Sequence, residues 1–110
     1  MPEPNGVLRH VVLFAFKAGA RDGVRQVEEA FCRLPQAIPY ILHFEWGTDV
    51  SPENLQAGFT HCFLLSFASA ADRDAYLIHP EHQALGKQLQ PFLDKVLVVD
   101  YWAEYALSCP

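Results

Sequence analysis

The sequence predicts an α+β protein in which four antiparallel strands form one sheet and helices cover one face of that sheet. Four segments are rich in β-branched and aromatic residues, two regions carry apolar residues at helical spacing, and together they follow the order β-α-β-β-α-β. A chain of 110 residues suits a single domain, which we place at residues 1–110.

The first strand and the first helix are predicted near the start of the chain. Residues 8–17, LRHVVLFAFK, are typical of a strand. Residues 21–34 then place apolar side chains at helical spacing, with Asp22 as the expected N-cap. We expect Pro35 and Pro39 to end this helix.

The next two strands are predicted on either side of a polar loop. Residues 40–50 form the second strand, which Gly47 is expected to stop, and residues 59–68 form the third. Residues 51–58 between them are rich in turn-forming residues.

Two short helical segments and a last strand complete the prediction. Ser69 is the expected N-cap of a helix over residues 70–79, and Pro80 either ends that helix or begins a new one. The second segment runs over residues 81–93, and the last strand covers residues 95–105. This order of elements is that of the ferredoxin-like fold.

Both faces of the predicted strands are apolar. Two helices can cover only one face of a four-stranded sheet, so the other face would expose an apolar patch on the order of several hundred Å². We therefore expect a homodimer in which two chains pair through the uncovered sheet face. In the first strand, one face holds Leu8, His10, Val12, Phe14 and Phe16, and the other holds Val11, Leu13 and Ala15.

Composition and charge exclude several classes of partner. The net charge is −5 and no run of lysine or arginine occurs, so neither nucleic acid nor a membrane is an expected partner. The apolar runs are too short to cross a bilayer, and the first ten residues do not resemble a secretory signal. Cys32, Cys62 and Cys109 show no CxxC spacing, which indicates reduced thiols, the first two in the core, and a cytoplasmic location.

Two histidines fall on the same face of neighbouring strands. His10 and His61 share the face assigned to the helices, so their imidazoles could lie close together in an otherwise apolar space. One interpretation is that each is a core histidine bonded to a backbone carbonyl. The other is that both line a pocket.

The segment YLIHPEHQAL, residues 76–85, concentrates titratable side chains. Tyr76 and one of the two histidines, His79 or His82, at the edge of an apolar pocket would form a minimal acid-base pair for chemistry next to a carbonyl group. In the alternative interpretation His79 caps the end of a helix and His82 faces solvent. No metal site is expected, because the HPEH segment lacks the i, i+4 spacing of helical zinc ligands. Asp100 lies at a predicted strand end, where a turn or capping role is expected.

Five stretches resemble a known family when their order and spacing are considered together. They are LRHVVLFAFK, WGTDVS, GFTHCFLLSFAS, AYLIHPEHQAL and VLVVDY, and they span about residues 7–103. The chain resembles the Dabb family of stress-responsive dimeric α/β-barrel proteins, and AYLIHPEH followed by VVDY is the most specific part of the resemblance. The resemblance implies a ferredoxin-like fold in which two chains join their sheets into a barrel.

The resemblance also implies roles for individual residues. Tyr76 and His82 occupy the positions of the catalytic tyrosine and histidine of a polyketide cyclase in this family, which needs no cofactor. Val27 and Glu28 stand where that cyclase presents an aromatic pair, so a different substrate is expected. The expected ligand pocket is completed by His10, His61, Phe31, Phe63 and His79.

Three functions remain open on the sequence alone. The first is a stress-responsive homodimer that binds a small hydrophobic ligand. The second is a cofactor-free cyclase or aldol-type lyase that acts on a poly-carbonyl compound by general acid-base catalysis. The third is a monooxygenase or haem-handling protein of the dimeric α/β-barrel type.

Overall fold

The structure is a computed structural model that describes residues 6–104. Cys109 and the end of the predicted last strand lie outside these residues. The strands join in the order β2-β3-β1-β4, and every neighbouring pair is antiparallel. This topology confirms the predicted ferredoxin-like α+β fold. The elements are β1 (Leu8–Phe16), α1 (Arg21–Ala37), β2 (His43–Thr48), β3 (His61–Phe67), α2 (Ala70–Leu77), α3 (Pro80–Leu89) and β4 (Leu93–Trp102).

Helix α1 differs from the prediction at both ends. Its N-cap is Ala20, whose carbonyl accepts from Val24, so the helix begins before Asp22 and the predicted cap is wrong. The carboxylate of Asp22 lies instead in the first turn, where it favours the helix dipole. Pro35 lies inside the helix rather than after it, because near the C-terminus it removes only one hydrogen bond.

The short helices begin and end largely where the sequence indicates. Ser69 caps α2 by accepting from the backbone N–H of Asp72 at 3.0 Å. Pro80 occupies the first turn of α3, so it starts a new helix. None of the helices within residues 6–104 is long and apolar enough to span a membrane.

The core lies between the sheet and the helices. Residues of β1 and β3 alternate between buried and partly exposed, as a two-faced sheet requires. Phe31 of α1 stacks on Phe63 of β3 with ring centroids 4.1 Å apart, which fixes the helix over the middle of the sheet. Cys32 and Cys62 are both only partly buried.

The opposite side of the sheet, which we call the open sheet face, is not covered by any of the three helices described above. On β4 it carries Leu97, Val99 and Tyr101, which are 44%, 50% and 47% exposed. The register sets Val99 beside Val11 and Leu97 beside Leu13, so the apolar surface continues onto β1. A contiguous apolar surface of this kind marks an interaction site.

Two helical glycines are expected to respond oppositely to alanine. A Cβ at Gly23 of α1 would overlap the ring of Phe92, whereas no heavy atom lies within 4 Å of one at Gly86 of α3. Gly23→Ala should lower the free energy of unfolding by about 1–3 kcal/mol through overpacking. Gly86→Ala should raise it by about 0.5–1 kcal/mol. Urea unfolding of both variants measures the difference, and equal shifts would contradict the packing of Phe92 on α1.

Candidate functional site

A cavity of about 520 Å³ lies between α3 and strands β1 and β4. We call it the helix-side cavity. Its walls are mainly apolar. Its ionisable side chains lie at one end, near Asp100 of β4, which is the register partner of His10 of β1. The apolar wall includes Val12, Phe14, Phe31, Leu85, Leu89 and Val98, and the polar end is formed by His10, Tyr76, His82 and Asp100.

Tyr76 brings a hydroxyl group into this cavity from α2. The residue is fully buried, and no group in the described part of the chain bonds to its hydroxyl. Burial raises the pKa of the Tyr76 phenol above its ordinary value, so the group remains a neutral donor. A buried donor without a partner is costly to the fold, and a ligand in the cavity would reach it only after the side chains around it move apart.

His82 lies beside Tyr76, with ring centroids 4.5 Å apart. Its Nδ1 donates to the carbonyl oxygen of Leu77 at 3.0 Å, so Nε2 carries the lone pair in the neutral ring. Burial lowers the pKa of His82, the bond to Leu77 opposes that shift, and His10 adds to it electrostatically. The imidazole is therefore a neutral base near pH 7.

The break between α2 and α3 makes the hydrogen bond from His82 to the Leu77 carbonyl possible. His79 is the N-cap of α3, and its Nδ1 accepts from the backbone N–H of Glu81 at 3.1 Å. In a continuous helix that N–H would bond to the Leu77 carbonyl. The carbonyl is instead free to accept from His82 and from Gln83, the latter at 2.9 Å.

His10 enters the cavity from β1 and is tied to two residues that the sequence analysis did not place in the site. Its Nδ1 lies 2.7 Å from Oδ1 of Asp100, and Oδ2 of Asp100 accepts from Nη1 of Arg73 at 2.7 Å. The ring centroid of His10 is 5.7 Å from that of Tyr76. Asp100 pairs with His10 across the strands, so its predicted role at a strand end is wrong.

His61 does not lie near His10, contrary to expectation. The register pairs His10 with Leu65 and His61 with Phe14, which separates the two histidines by four residues, or about 13 Å. The imidazole of His61 is already bonded at both nitrogens. Its Nε2 lies 2.7 Å from Oε2 of Glu28, and its Nδ1 lies 2.8 Å from the hydroxyl of Thr60.

The cavity therefore brings together only some of the residues assigned to the pocket. His10, Phe31, Tyr76 and His82 line it. Phe63 is buried behind Phe31, and His79 caps α3 instead. Within residues 6–104, no cluster of three or more histidine, cysteine or acidic side chains is placed to bind a metal ion.

The lowered pKa of His82 predicts a loss of stability in mild acid. Below the ordinary histidine pKa of about 6.5, the unfolded chain binds more protons at His82 than the folded chain. The contribution of His82 is therefore complete above that pH and is lost as the pH falls. Urea unfolding between pH 5 and 7.5 should show a steeper loss for the wild type than for His82→Gln. An NMR titration midpoint of His82 above 6.5 would contradict this prediction.

Replacing Tyr76 by phenylalanine should stabilise the protein. The change removes a buried hydroxyl that has no partner in the described residues and leaves the ring packing intact. We expect the free energy of unfolding to rise by about 1–2 kcal/mol. Thermal unfolding at fixed protein concentration measures it. Tyr40→Phe, at a position 37% exposed, is the matched control and should change stability by less than about 0.5 kcal/mol.

Comparisons with known proteins agree with this fold. The family model of the stress-responsive A/B barrel domain, Dabb, matches residues 8–103. The stress-response A/B barrel protein HS1 of Arabidopsis thaliana is 37% identical over 102 residues, which cover 92% of this chain and 94% of that protein. Olivetolic acid cyclase of Cannabis sativa is 32% identical over 97 residues, covering 86% and 94%.

Solved structures extend the comparison to three dimensions. Hydroxynitrile lyase from Passiflora edulis superimposes with a TM-score of 0.84 at 27% identity, over 92% of this chain and 96% of that one. A dimeric protein with a ferredoxin-like fold from Bacteroides fragilis gives a TM-score of 0.76 at 27% identity, over 89% and 97%. Such dimeric neighbours support a homodimer here. The fold, the cavity and the match over nearly the whole described chain show that this protein belongs to the stress-responsive A/B barrel (Dabb) domain family.

Proposed function

We propose that this Dabb protein is a cofactor-independent acid-base enzyme that acts on a small, neutral, apolar molecule bound in the helix-side cavity. The observation that carries the proposal is the pairing of Tyr76 and His82. A buried hydroxyl with no partner among residues 6–104 lies beside an imidazole whose Nε2 has no bond to any of those residues. One group donates a hydrogen bond and the other takes a proton, which is what general acid-base catalysis requires.

The chemistry of the ligand follows from the cavity lining. The volume of about 520 Å³ is in the range of small-molecule sites, and most of the wall is apolar. No lysine or arginine lines the cavity within the described residues, and Asp100 places a carboxylate at its polar end. An anionic ligand would lose hydration without gaining a counter-ion. A neutral ligand with at least one oxygen-bearing carbon and an apolar body fits.

The reaction would break or form a carbon–carbon bond at that carbon. Nε2 of His82 takes a proton from a hydroxyl group or from an acidic carbon, and the Tyr76 hydroxyl stabilises the oxygen on which negative charge develops. For a hydroxynitrile, loss of the hydroxyl proton forms the carbonyl group and expels cyanide, which leaves with a proton. For a poly-carbonyl chain, the enolate attacks a second carbonyl. The hydroxynitrile lyase and the cyclase among its relatives support these two reactions.

We also propose that two copies of the chain pair through the open sheet face to form a homodimer. The half-exposed side chains of Leu97, Val99 and Tyr101 give this face the apolar character of an interface. The paired sheets would enclose the apolar surface and leave the helix-side cavity open on the outer layer of each chain.

Binding and turnover should be measured separately on matched probes. Mandelonitrile is neutral, and mandelate has the same ring and hydroxyl with a carboxylate in place of the nitrile. We expect mandelonitrile to shift the NMR signals of His82 and His10 at concentrations at which mandelate does not. We also expect release of benzaldehyde, or cyclisation of a poly-β-keto thioester, above the uncatalysed rate. Binding of mandelonitrile without either reaction would contradict the proposed enzyme and indicate a ligand-binding protein. Equal binding of mandelate and mandelonitrile would contradict the proposed ligand class.

A further inference from the structure

Three side chains from three elements form a chain of hydrogen bonds that ends in the helix-side cavity. Arg73 on α2 donates to Asp100 on β4, and Asp100 bonds to His10 on β1. The side chains of Arg73 and Asp100 are 23% and 24% exposed, whereas that of His10 is 5% exposed. A partly exposed guanidinium is thereby connected to a buried imidazole, and both oxygens of the carboxylate are engaged.

The partner of Nδ1 determines which nitrogen of His10 carries the proton. An ionised carboxylate only accepts hydrogen bonds, so Nδ1 carries the proton in the neutral ring and Nε2 carries the lone pair. No described residue bonds to Nε2 of His10. The Leu77 carbonyl produces the same tautomer in His82. Both imidazoles beside Tyr76 therefore have an unbonded Nε2.

We propose that Arg73 and Asp100 are positioning residues that fix His10 in the Nδ1–H tautomer and so provide a second proton acceptor, Nε2 of His10, in addition to His82. Arg73 holds the second oxygen of the carboxylate. The catalytic consequence rests on the proposed function, but the tautomer is a property of the ligand-free protein.

The arrangement also narrows the ligand class. A ligand hydroxyl both donates and accepts hydrogen bonds, so it can donate its one proton to Nε2 of either imidazole and accept from the Tyr76 hydroxyl. A carbonyl oxygen only accepts, so it can use Tyr76 but neither imidazole. The site as built thus favours an alcohol or hydroxynitrile over the aldehyde or ketone related to it.

The substitution Asp100→Asn tests the tautomer directly. Arg73 would hold the single oxygen of the introduced carboxamide, which turns an N–H donor towards Nδ1 of His10. Nδ1 must then accept, and the proton moves to Nε2. Asp74→Asn is the matched control, since Asp74 is the other carboxylate bonded to Arg73, at 2.8 Å, and does not bond to His10. Long-range ¹⁵N–¹H correlation spectra above the titration range report the protonated nitrogen of each ring.

We expect the Nδ1–H form of His10 in the wild type and in Asp74→Asn, and the Nε2–H form in Asp100→Asn. The preference for benzyl alcohol over benzaldehyde in binding should fall about tenfold in Asp100→Asn, as expected for one hydrogen bond. An Nε2–H wild type would overturn the inference even if the variant does not fold. Equal effects of the two variants on the tautomer would also overturn it.

The two proposals fail separately in these measurements. A wild type in the Nδ1–H form that binds the alcohol but converts no probe contradicts the proposed enzyme and leaves the positioning role in place. A wild type in the Nε2–H form that converts a probe contradicts the positioning role alone.

Discussion

Replacement of His82 by glutamine is expected to lower kcat/KM for any converted probe by about 10²–10⁴-fold. Glutamine can still donate to the Leu77 carbonyl, so the local helix ends should be retained. It has no nitrogen that takes a proton near pH 7, so the base is removed while the polar end of the cavity persists. Steady-state kinetics of wild type and variant give kcat/KM, and NMR titration with the same probe gives its binding.

The control for this variant is the same substitution at an exposed histidine. His43 lies on β2, away from the cavity lining, and His43→Gln should leave kcat/KM within about threefold of the wild type, as expected for a surface change. A His82→Gln protein with wild-type kcat/KM would show that another group is the base. Loss of probe binding together with turnover would show instead that His82 holds the ligand.

Placing a lysine at Val99 is expected to separate the two chains of the homodimer. Val99 is 50% exposed on the open sheet face, where it lies on the edge strand β4 beside Val11 of β1. A charge buried there without a partner costs about 3–5 kcal/mol, which weakens association by about 10²–10⁴-fold. Light scattering during size-exclusion chromatography should give about twice the chain mass of 12.4 kDa for the wild type and the chain mass for Val99→Lys.

The matched control places the same charge off the sheet. Val50 is 92% exposed in the segment between β2 and β3, and Val50→Lys should keep the mass of the dimer. A wild-type protein at the single-chain mass across the concentration range would refute pairing altogether. A Val99→Lys protein that remains dimeric would place the interface on another surface.

The architecture could be predicted from the sequence because the deciding patterns are local. The alternation in the first strand is a property of consecutive residues, and Ser69 and Pro80 determine the starts of α2 and α3 within a single turn. The ends of α1 could not be predicted in the same way. Whether Asp22 caps the helix depends on the path of the chain before it. Whether Pro35 ends the helix depends on whether the remaining contacts of α1 offset the one backbone hydrogen bond that the proline removes.

The candidate site could be predicted only in part, for a similar reason. Tyr76 and His82 are close in sequence, and the structure places their rings side by side. The distance between His10 and His61 depends on the register of two strands, which a shared face does not determine. The link from Arg73 to Asp100 requires α2 to pack near β4, and no periodicity in the sequence reports that packing.

The interruption at Pro80 has a consequence for how such a site can change over time. A residue there that favours uninterrupted helix would let the N–H of Glu81 bond to the Leu77 carbonyl and would take away the acceptor that orients His82. A substitution of Pro80 that stabilises the helix would then remove the hydrogen bond that orients His82, the proposed base. Selection for stability would favour replacement of Pro80, whereas selection for activity would retain it. In a lineage that lost the reaction, this proline would no longer be under selection.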